Sequence, residues 1–252
     1  MNVAAAQGVR SAGRQTATGL MLAVLIGAAW LGLHVHGVFF HRLTGFGIAA
    51  APLIVLALTW LNVGLFIVAH DCMHGSLAPG RPRINRTVGR VMLGLYAGFS
   101  YDRLLPKHHG HHRHAGTPRD PDFSSSNRFW PWYLSFVREY FGWREFGVLT
   151  VLLAAYVFIL GAEPANALLF WALPAILSSL QLFLFGTYLP HRRGGVEFGD
   201  RHRTRSNDYG YLASLISCYH FGYHHEHHRS PATPWWALPR LRAMLRSDRR
   251  PG

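Results

Sequence analysis

Four long apolar runs constrain the fold of this chain more than any other feature of its sequence. The runs cover residues 16–40, 43–69, 145–162 and 165–189 and are nearly free of charged side chains. Each is near or above the roughly 20 residues that a helix needs to cross a bilayer. We therefore predict an all-α integral membrane protein, with a single membrane domain over residues 1–252 and four transmembrane helices.

Three further segments complete the predicted topology. The apolar stretch Val88–Phe99 is too short to span and is interrupted by glycines, so we expect a re-entrant or interfacial segment. The polar segment His34–Arg42 follows the first run without a convincing small-residue cleavage site, which predicts a retained first helix rather than a signal peptide. The aromatic-rich segment Phe129–Trp143 is amphipathic and is expected to lie in the membrane surface.

The basic residues predict the orientation of these helices. With the amino terminus inside, four spans leave all of the 25 Lys and Arg residues except Arg42 on the cytoplasmic side, as the positive-inside rule requires. Both termini and the segments 70–144 and 190–245 are then cytoplasmic. Contact with anionic lipid headgroups accounts for the net charge of +13. Because no nucleic-acid-binding motif accompanies that charge, we expect no nucleic-acid partner.

Histidines are concentrated in three clusters within the predicted cytoplasmic segments. The first is the pair His70 and His74, and the other two are runs rich in histidine, His108–His114 and His220–His228. Imidazole is a common ligand of transition metals, and helical spacings of three and four residues place side chains on one face. Two sets of three are therefore each expected to converge on a single point: His108, His111 and His112, and His224, His227 and His228. With His70 and His74 they are eight predicted metal ligands.

The position of the remaining histidines indicates their roles. His191 follows the fourth run at the cytoplasmic face, where it could either join the three clusters as a ninth candidate ligand or contact lipid headgroups. Adjacent residues of a helix point about 100° apart, so His109 and His225 should turn away from their own clusters. We expect these two and His220 to contact the ligands rather than the metal. A helix of roughly 40 Å separates the histidines near the first loop from His70, so we expect these to be interfacial: His34, His36 and His41. We expect His114 and His202 to be surface residues.

The number of candidate ligands limits the kind of metal site. A zinc site uses three or four protein ligands, so nine histidines favour two metal ions. The zinc-protease signature His-Glu-x-x-His is absent because Arg229 occupies the place of its second histidine, and the chain has no Glu-x-x-His pair of the soluble di-iron bundles. A non-haem di-iron centre fits best, although imidazole also suits copper, nickel and zinc. Haem would leave most of the histidines unused.

Acidic residues and cysteines near the clusters are assigned on the same basis. Ligand histidines usually give their second N–H to a carboxylate or carbonyl, which orients the ring. Asp71 and Glu226 are the expected partners because each is adjacent to a candidate ligand. Asp120 and Asp122 are close in sequence to two arginines, so we expect them to be solvated or paired with arginine.

The only cysteines, Cys72 and Cys218, fall on the cytoplasmic side and are assigned neither a disulfide nor a metal role.

The same residues carry a family resemblance. The spacing of the three histidine clusters resembles that of the histidine boxes of the membrane fatty-acid desaturase and hydroxylase superfamily. Longer strings around the boxes resemble one branch of it, the bacterial β-carotene ketolases, over nearly the whole chain apart from its extreme ends. These strings are Phe66–Asp71, Met73–Gly80, Gly94–Phe99, Asp120–Phe123, Phe141–Glu145 and His220–His228.

The resemblance implies an integral protein of the bacterial inner membrane that uses two non-haem iron ions, O₂ and an external, ferredoxin-like electron donor. Its carotenoid substrate would be converted at the C4 methylene of a β-ionone ring to a ketone, from β-carotene to echinenone to canthaxanthin. Two successive hydroxylations would give a geminal diol that loses water.

Other functions remain open from the residues alone. A carotenoid ring hydroxylase or a fatty-acyl desaturase would share the metal site and the topology. A histidine-rich metal transporter or sensor is the alternative from another class, but it would be expected to place polar or charged residues within its spans, and the four apolar runs hold almost none.

Overall fold

The computed structural model describes residues 3–194 and 197–247, with side chains from Ser11 onward. Within these residues the chain forms helices and connecting turns, with no strand. The helices are α1 (Val3–Val35), α2 (Phe46–His74), α3 (Pro82–Ala97), α4 (Tyr101–His114), α5 (Phe129–Tyr140), α6 (Trp143–Ala154), α7 (Pro164–Ala167), α8 (Leu173–Phe183), α9 (Leu189–His191), α10 (Tyr211–Cys218), α11 (His224–Arg229) and α12 (Leu238–Ser247). Short π-helical turns extend α1 to Phe40 and α6 to Ile159, and they join α7, α8 and α9 into one rod.

Three helices are long and apolar enough to cross a membrane. They run over Ser11–Phe40, Phe46–His74 and Pro164–His191, and so confirm the helices predicted from the first, second and fourth apolar runs. An α-helix satisfies its backbone hydrogen bonds within the segment, which is what the interior of a bilayer requires. Helix α2 is central, because it packs against α1, α3 and α8.

The third apolar run differs from the prediction. Trp143–Ile159 reaches the length of a span only together with α5, from which it is bent by 79°. The break lies at Phe141 and Gly142, whose backbones are extended. The carboxylate of Glu145 then accepts a hydrogen bond from the backbone N–H of Gly142 and caps the new helix. The described residues therefore hold three candidate spans, or four if the bent pair counts as one.

The short apolar stretch Val88–Phe99 lies in α3 as far as Ala97, and α3 packs along α2. Gly75 ends α2 in the left-handed region at φ 70°, and Pro82 occupies the first turn of α3. The side chain of Asn85 fixes the turn between them by donating to the carbonyl of Ala78 at 2.7 Å and accepting from its N–H at 3.2 Å. This hairpin brings α4 back towards the end of α2.

His34 contradicts the interfacial position predicted for it. Its side chain is buried, its ring stacks on Trp30 with centroids 4.6 Å apart, and its Nε2 lies 3.2 Å from the hydroxyl of Tyr156. Sequence spacing indicates how far His34 lies from the other histidines, but it does not indicate how α1 packs against its neighbours. His36, two residues further on, is exposed as expected.

Candidate functional site

The nine candidate ligands come from four helix segments that meet at one end of α2. His70 and His74 occupy its last turns, His191 is the last residue of α9, and the others lie on α4 and α11. Helix α4 begins with the buried Tyr101, whose hydroxyl donates to the carbonyl of Cys72 at 2.9 Å. That hydrogen bond ties the start of α4 to the same end of α2.

Five of the nine side chains form the first histidine cluster. Their ligand nitrogens all lie within 4.8 Å of one another. The shortest separations are 2.6 Å between the Nε2 atoms of His74 and His108, and 3.0 Å between those of His112 and His227. The members of this cluster are His70, His74, His108, His112 and His227.

The other four form a second histidine cluster, all of them buried. The Nε2 of His224 lies 3.1 Å from the Nε2 atoms of both His191 and His228. The members are His111, His191, His224 and His228. The two clusters are adjacent, since the rings of His112 and His228 stack with centroids 4.1 Å apart.

The prediction that each set of three converges on one point was wrong. His108 and His112 belong to the first cluster, whereas His111 belongs to the second. On α11 the opposite division occurs: His227 belongs to the first cluster, whereas His224 and His228 belong to the second. In an α-helix, positions three and four residues after a given residue differ by about 100° around the axis. A helix between two sites can therefore supply ligands to both.

The chemistry of both clusters fits a metal cation. Buried ring nitrogens of His70, His111, His224 and His228 have no hydrogen-bond partner among the described residues. Burial, followed by the neighbouring histidines, holds the pKa of His108, His224 and His228 well below its usual range. Neutral imidazole has the free lone pair that a metal requires. Converging lone pairs at these distances repel one another unless a cation or protons lie between them.

Asp120 contradicts the prediction of a solvated or arginine-paired carboxylate. It is buried, and its Oδ1 accepts a 2.9 Å hydrogen bond from Nδ1 of His111, which leaves Nε2 of that ring facing the second cluster. Burial opposes charge on His111, but the carboxylates of Asp122 and Asp120 outweigh it and raise its pKa. The backbone N–H of Gly116 donates to Asp120 at 2.8 Å. The sequence signal that could have indicated this contact was the glycine-containing turn at Gly116, which folds Asp120 back onto α4.

The two acids predicted to orient ligands have other contacts. Oδ1 of Asp71 lies 3.7 Å from Nδ1 of His70, too far for a hydrogen bond, and its Oδ2 accepts from the backbone N–H of Trp235 at 3.0 Å. Glu226 pairs with Arg242 at 2.9 Å and accepts a hydrogen bond from Ser206. The orienting role predicted for Glu226 is thus not seen within the described residues.

Three histidines of the boxes lie outside both clusters. For His109 and His225 this agrees with the direction predicted for them on the helices, but their hydrogen bonds go to residues other than the clustered histidines. Nε2 of His109 lies 3.0 Å from the carbonyl of Met73. His225 contacts Thr204 at 3.1 Å and Asp200 at 3.4 Å. His220 is fully buried without a hydrogen-bond partner among the described residues, packed against the rings of three neighbours: Tyr211, Tyr223 and Trp235.

A long apolar cavity of about 540 Å³ opens beside the clusters. It extends along the α7–α9 rod from Trp171 to Thr187, a distance of about 24 Å at the rise of an α-helix. Four clustered histidines line it: His70, His108, His111 and His224. Most of the remaining wall is apolar and includes Phe66, Met73, Phe99, Leu104, Phe136, Phe141, Leu149, Leu153, Ile176 and Leu182.

Comparisons with known proteins agree with this site. The sequence matches the family described as Fatty acid desaturase over residues 46–147 and 135–251. It is 51% identical over 232 residues to a β-carotene ketolase of Paracoccus sp. (strain N81106 / MBIC 01143), covering 90% of this chain and 93% of that protein. A second Paracoccus β-carotene ketolase (strain PC1) is 51% identical over 229 residues, 89% of this chain and 91% of its own.

A zeaxanthin 4-ketolase of Chlamydomonas reinhardtii is 37% identical over 240 residues, which cover 90% of this chain and 54% of that protein. No solved structure matches the chain. The identity to the bacterial relatives extends over nearly their full length, and so includes the segments that carry the histidine clusters. The chain therefore belongs to the fatty acid desaturase family and, within it, to the β-carotene ketolases.

Proposed function

We propose that this chain is a β-carotene 4-ketolase, an oxygenase that uses O₂ to convert the C4 methylene of a β-ionone ring to a ketone. The observation that carries the proposal is the meeting of two histidine clusters with one long apolar cavity. A rigid hydrocarbon polyene fits such a cavity, because its wall offers apolar contacts along most of its length. β-Carotene would be converted first to echinenone and then to canthaxanthin.

The clustered histidines would hold two non-haem iron ions. His70, His74, His108, His112 and His227 would hold one, and His111, His191, His224 and His228 the other. When bound, such a centre supplies the activation of O₂ with electrons from an external donor, for which a ferredoxin-like protein is suited. Imidazoles at the ends of α2 and of the α7–α9 rod and on the shorter helices α4 and α11, rather than carboxylates, make up the whole proposed ligand set.

The reaction itself requires two hydroxylations at one carbon. C4 is allylic to the ring double bond, so its C–H bonds are comparatively weak. Each hydroxylation replaces a C–H bond by C–OH, takes up one O₂, two electrons and two protons, and releases one water. The second yields a geminal diol, which loses water to leave the ketone.

The residues of the chain contribute position and environment to these steps. Asp120 orients the ring of His111 through Nδ1, which directs Nε2 into the second cluster. Phe66, Met73 and Leu104 line the cavity near the histidines and exclude water from the ring. Excluding water protects reactive species from side reactions, and a fixed ring position selects C4 over the neighbouring carbons.

The membrane arrangement belongs to the same proposal. Four spans, with the α5–α6 pair as the third, would place both clusters and both termini on the cytoplasmic side of a bacterial inner membrane. The distribution of the 25 Lys and Arg residues supports this orientation. The two chain ends, residues 1–2 and 248–252, lie outside the described residues. Membrane lipid would contact the exposed apolar side chains of α1, α2 and α6.

Expression in a host that makes β-carotene tests the proposed activity. The chain should yield echinenone and canthaxanthin, separated by chromatography, and the pigment should shift towards red as each carbonyl joins the conjugated system. His70→Ala should leave β-carotene unchanged, because a ligand is lost. His36→Ala is the matched control and should retain activity, since His36 is exposed and outside both clusters.

Each alternative function has its own outcome in this experiment. Zeaxanthin as the main product would identify a ring hydroxylase. Altered acyl-chain unsaturation with untouched carotenoid would identify a lipid desaturase. Metal uptake without any oxidised carotenoid or lipid would identify a transporter or sensor.

A further inference from the structure

Three oxygen-bearing side chains meet on the wall of the largely apolar cavity. They are Asp122, from the loop after α4, Tyr140, at the end of α5, and Thr187, in the last π turn of the rod. The hydroxyl of Tyr140 donates to Oδ1 of Asp122, and that of Thr187 lies 3.4 Å from Oδ2. These three side chains form the polar patch of the cavity.

The polar patch lies where the chemistry would occur. Oδ2 of Asp122 is 3.6 Å from Nδ1 of His111, and the same cavity is lined by His111 and His224 of the second cluster. A ring whose C4 faces the clusters would therefore also face the patch. The opposite end of the cavity, about 24 Å away along the rod at Trp171, is too distant to share these contacts.

The patch keeps hydrogen-bonding capacity that the described residues do not use. A carboxylate offers about four acceptor positions and a hydroxyl two lone pairs. The hydroxyl of Tyr140 occupies one acceptor position on Oδ1 of Asp122, and that of Thr187 occupies one on Oδ2. Trp132 donates to the backbone carbonyl of Asp122 and not to its side chain. The hydroxyls of Tyr140 and Thr187 retain acceptor lone pairs. Each oxygen of the patch already has one hydrogen-bond partner, so a ligand hydroxyl would add a further hydrogen bond rather than replace a missing one.

A bare β-ionone ring is a hydrocarbon and can make no hydrogen bond with the patch. The ring after one hydroxylation carries a C4 hydroxyl, which can both donate and accept. We propose that the polar patch binds the C4 hydroxyl of the half-oxidised ring and holds this ring in place for the second hydroxylation. This inference rests on the proposed ketolase activity, and it assigns the patch a substrate-binding role without any part in electron or proton transfer.

Removal of one hydroxyl should weaken retention of the alcohol specifically. A net hydrogen bond corresponds to roughly a fivefold change in an equilibrium constant. The KM for supplied 4-hydroxy-β-carotene should rise about fivefold, while the KM for β-carotene should stay near that of the unmodified chain. In cells, the share of 4-hydroxylated rings among the oxidised products should rise severalfold, because the alcohol leaves before it is oxidised again.

Two variants test the patch, each with a matched control. Thr187→Val keeps the side-chain shape and removes the hydroxyl, whereas Thr187→Ser restores it. Tyr140→Phe removes the second hydroxyl, and Tyr133→Phe removes a hydroxyl from the same helix and cavity that is bonded instead to Ser179 at 2.6 Å. The alcohol share should rise in Thr187→Val and Tyr140→Phe, return in Thr187→Ser, and stay unchanged in Tyr133→Phe whatever its total rate.

The outcomes separate this inference from the proposed function. An unchanged alcohol share and an unchanged KM for the alcohol in Thr187→Val, with ketone still formed, would overturn the role of the patch. An equal rise in Tyr133→Phe would overturn it as well, because any loss of a cavity hydroxyl would then have the same effect. Absence of C4 oxidation by the unmodified chain would instead refute the ketolase activity on which the inference rests.

Discussion

Nδ1 of His111 and Oδ1 of Asp120 are joined by a 2.9 Å hydrogen bond between two buried side chains. The imidazole N–H donates, so the other nitrogen of His111 is free to act as a ligand in the second cluster. Asp120 is itself held by the backbone N–H groups of Gly116 and Asp122 at 2.8 and 2.9 Å. This relationship couples the loop after α4 to the second histidine cluster.

We expect Asp120→Asn to weaken metal binding, because the ring of His111 loses its charged hydrogen-bond acceptor. Loss of such a partner typically lowers metal affinity or activity by about 10- to 100-fold. Titration of the purified protein with ferrous iron measures the change. Asp102→Asn is the control: Asp102 is exposed and pairs with Arg86 and Arg90 at 2.9 and 2.7 Å, so its loss should leave iron affinity unchanged. Equal affinity in both variants would contradict the role given to Asp120.

His227→Ala should lower the iron content, whereas His225→Ala should not. Both residues lie on α11, but only His227 belongs to a cluster, while His225 contacts Thr204 and Asp200. Metal analysis of the purified variants should show close to two irons per chain for the unmodified protein and for His225→Ala. A single zinc, or a Soret band of haem at full occupancy, would show that the assignment of the metal is wrong.

Gly89→Ala should destabilise the packing of α3 against α4. A Cβ at Gly89 would lie 2.2 and 2.5 Å from ring carbons of Tyr101, which is buried and bonded to Cys72. Overpacking of this kind costs about 1–3 kcal/mol, so the midpoint of thermal unfolding in detergent should fall. Gly94→Ala on the same helix should leave it unchanged or raise it, since nothing lies within 4 Å of its Cβ position and alanine favours helix. A similar fall in both would show that the contact with Tyr101 is not the cause.

Reporter fusions test the proposed orientation. Fusions after Phe40 and within residues 162–164 should report an external location, and a fusion after Asn127 an internal one, because the basic residues gather on one side. A fusion at the carboxyl-terminal Gly252 should also be internal. An external signal from Asn127 or Gly252 would refute the proposal that all histidine boxes share the cytoplasmic face.

The helical architecture followed from the length of the apolar runs. A run of more than 20 residues without charge has few structural options, and three of the four runs form single candidate spans near their predicted bounds. The third run is shorter, and its neighbour Phe129–Tyr140 is amphipathic, so composition could not indicate how the two helices join. The bend at Phe141 and Gly142 depends on the capping contact of Glu145 with Gly142, a local geometry that hydropathy does not describe.

The sequence by itself indicated which nine histidines gather. Helical spacing limits where side chains can point, the apolar runs set where each segment ends, and the clusters resemble the histidine boxes of a known family. Only the tertiary structure decided how those nine divide between two clusters and which acid serves them. His111 and His112 are adjacent in sequence yet belong to different clusters, since α4 lies between both sites and neighbouring side chains diverge by about 100°. Likewise, Asp120 rather than Glu226 contacts a clustered histidine, because the turn at Gly116 brings it back over α4. Relative helix positions and loop paths arise from packing between distant segments, which spacing within one segment does not specify.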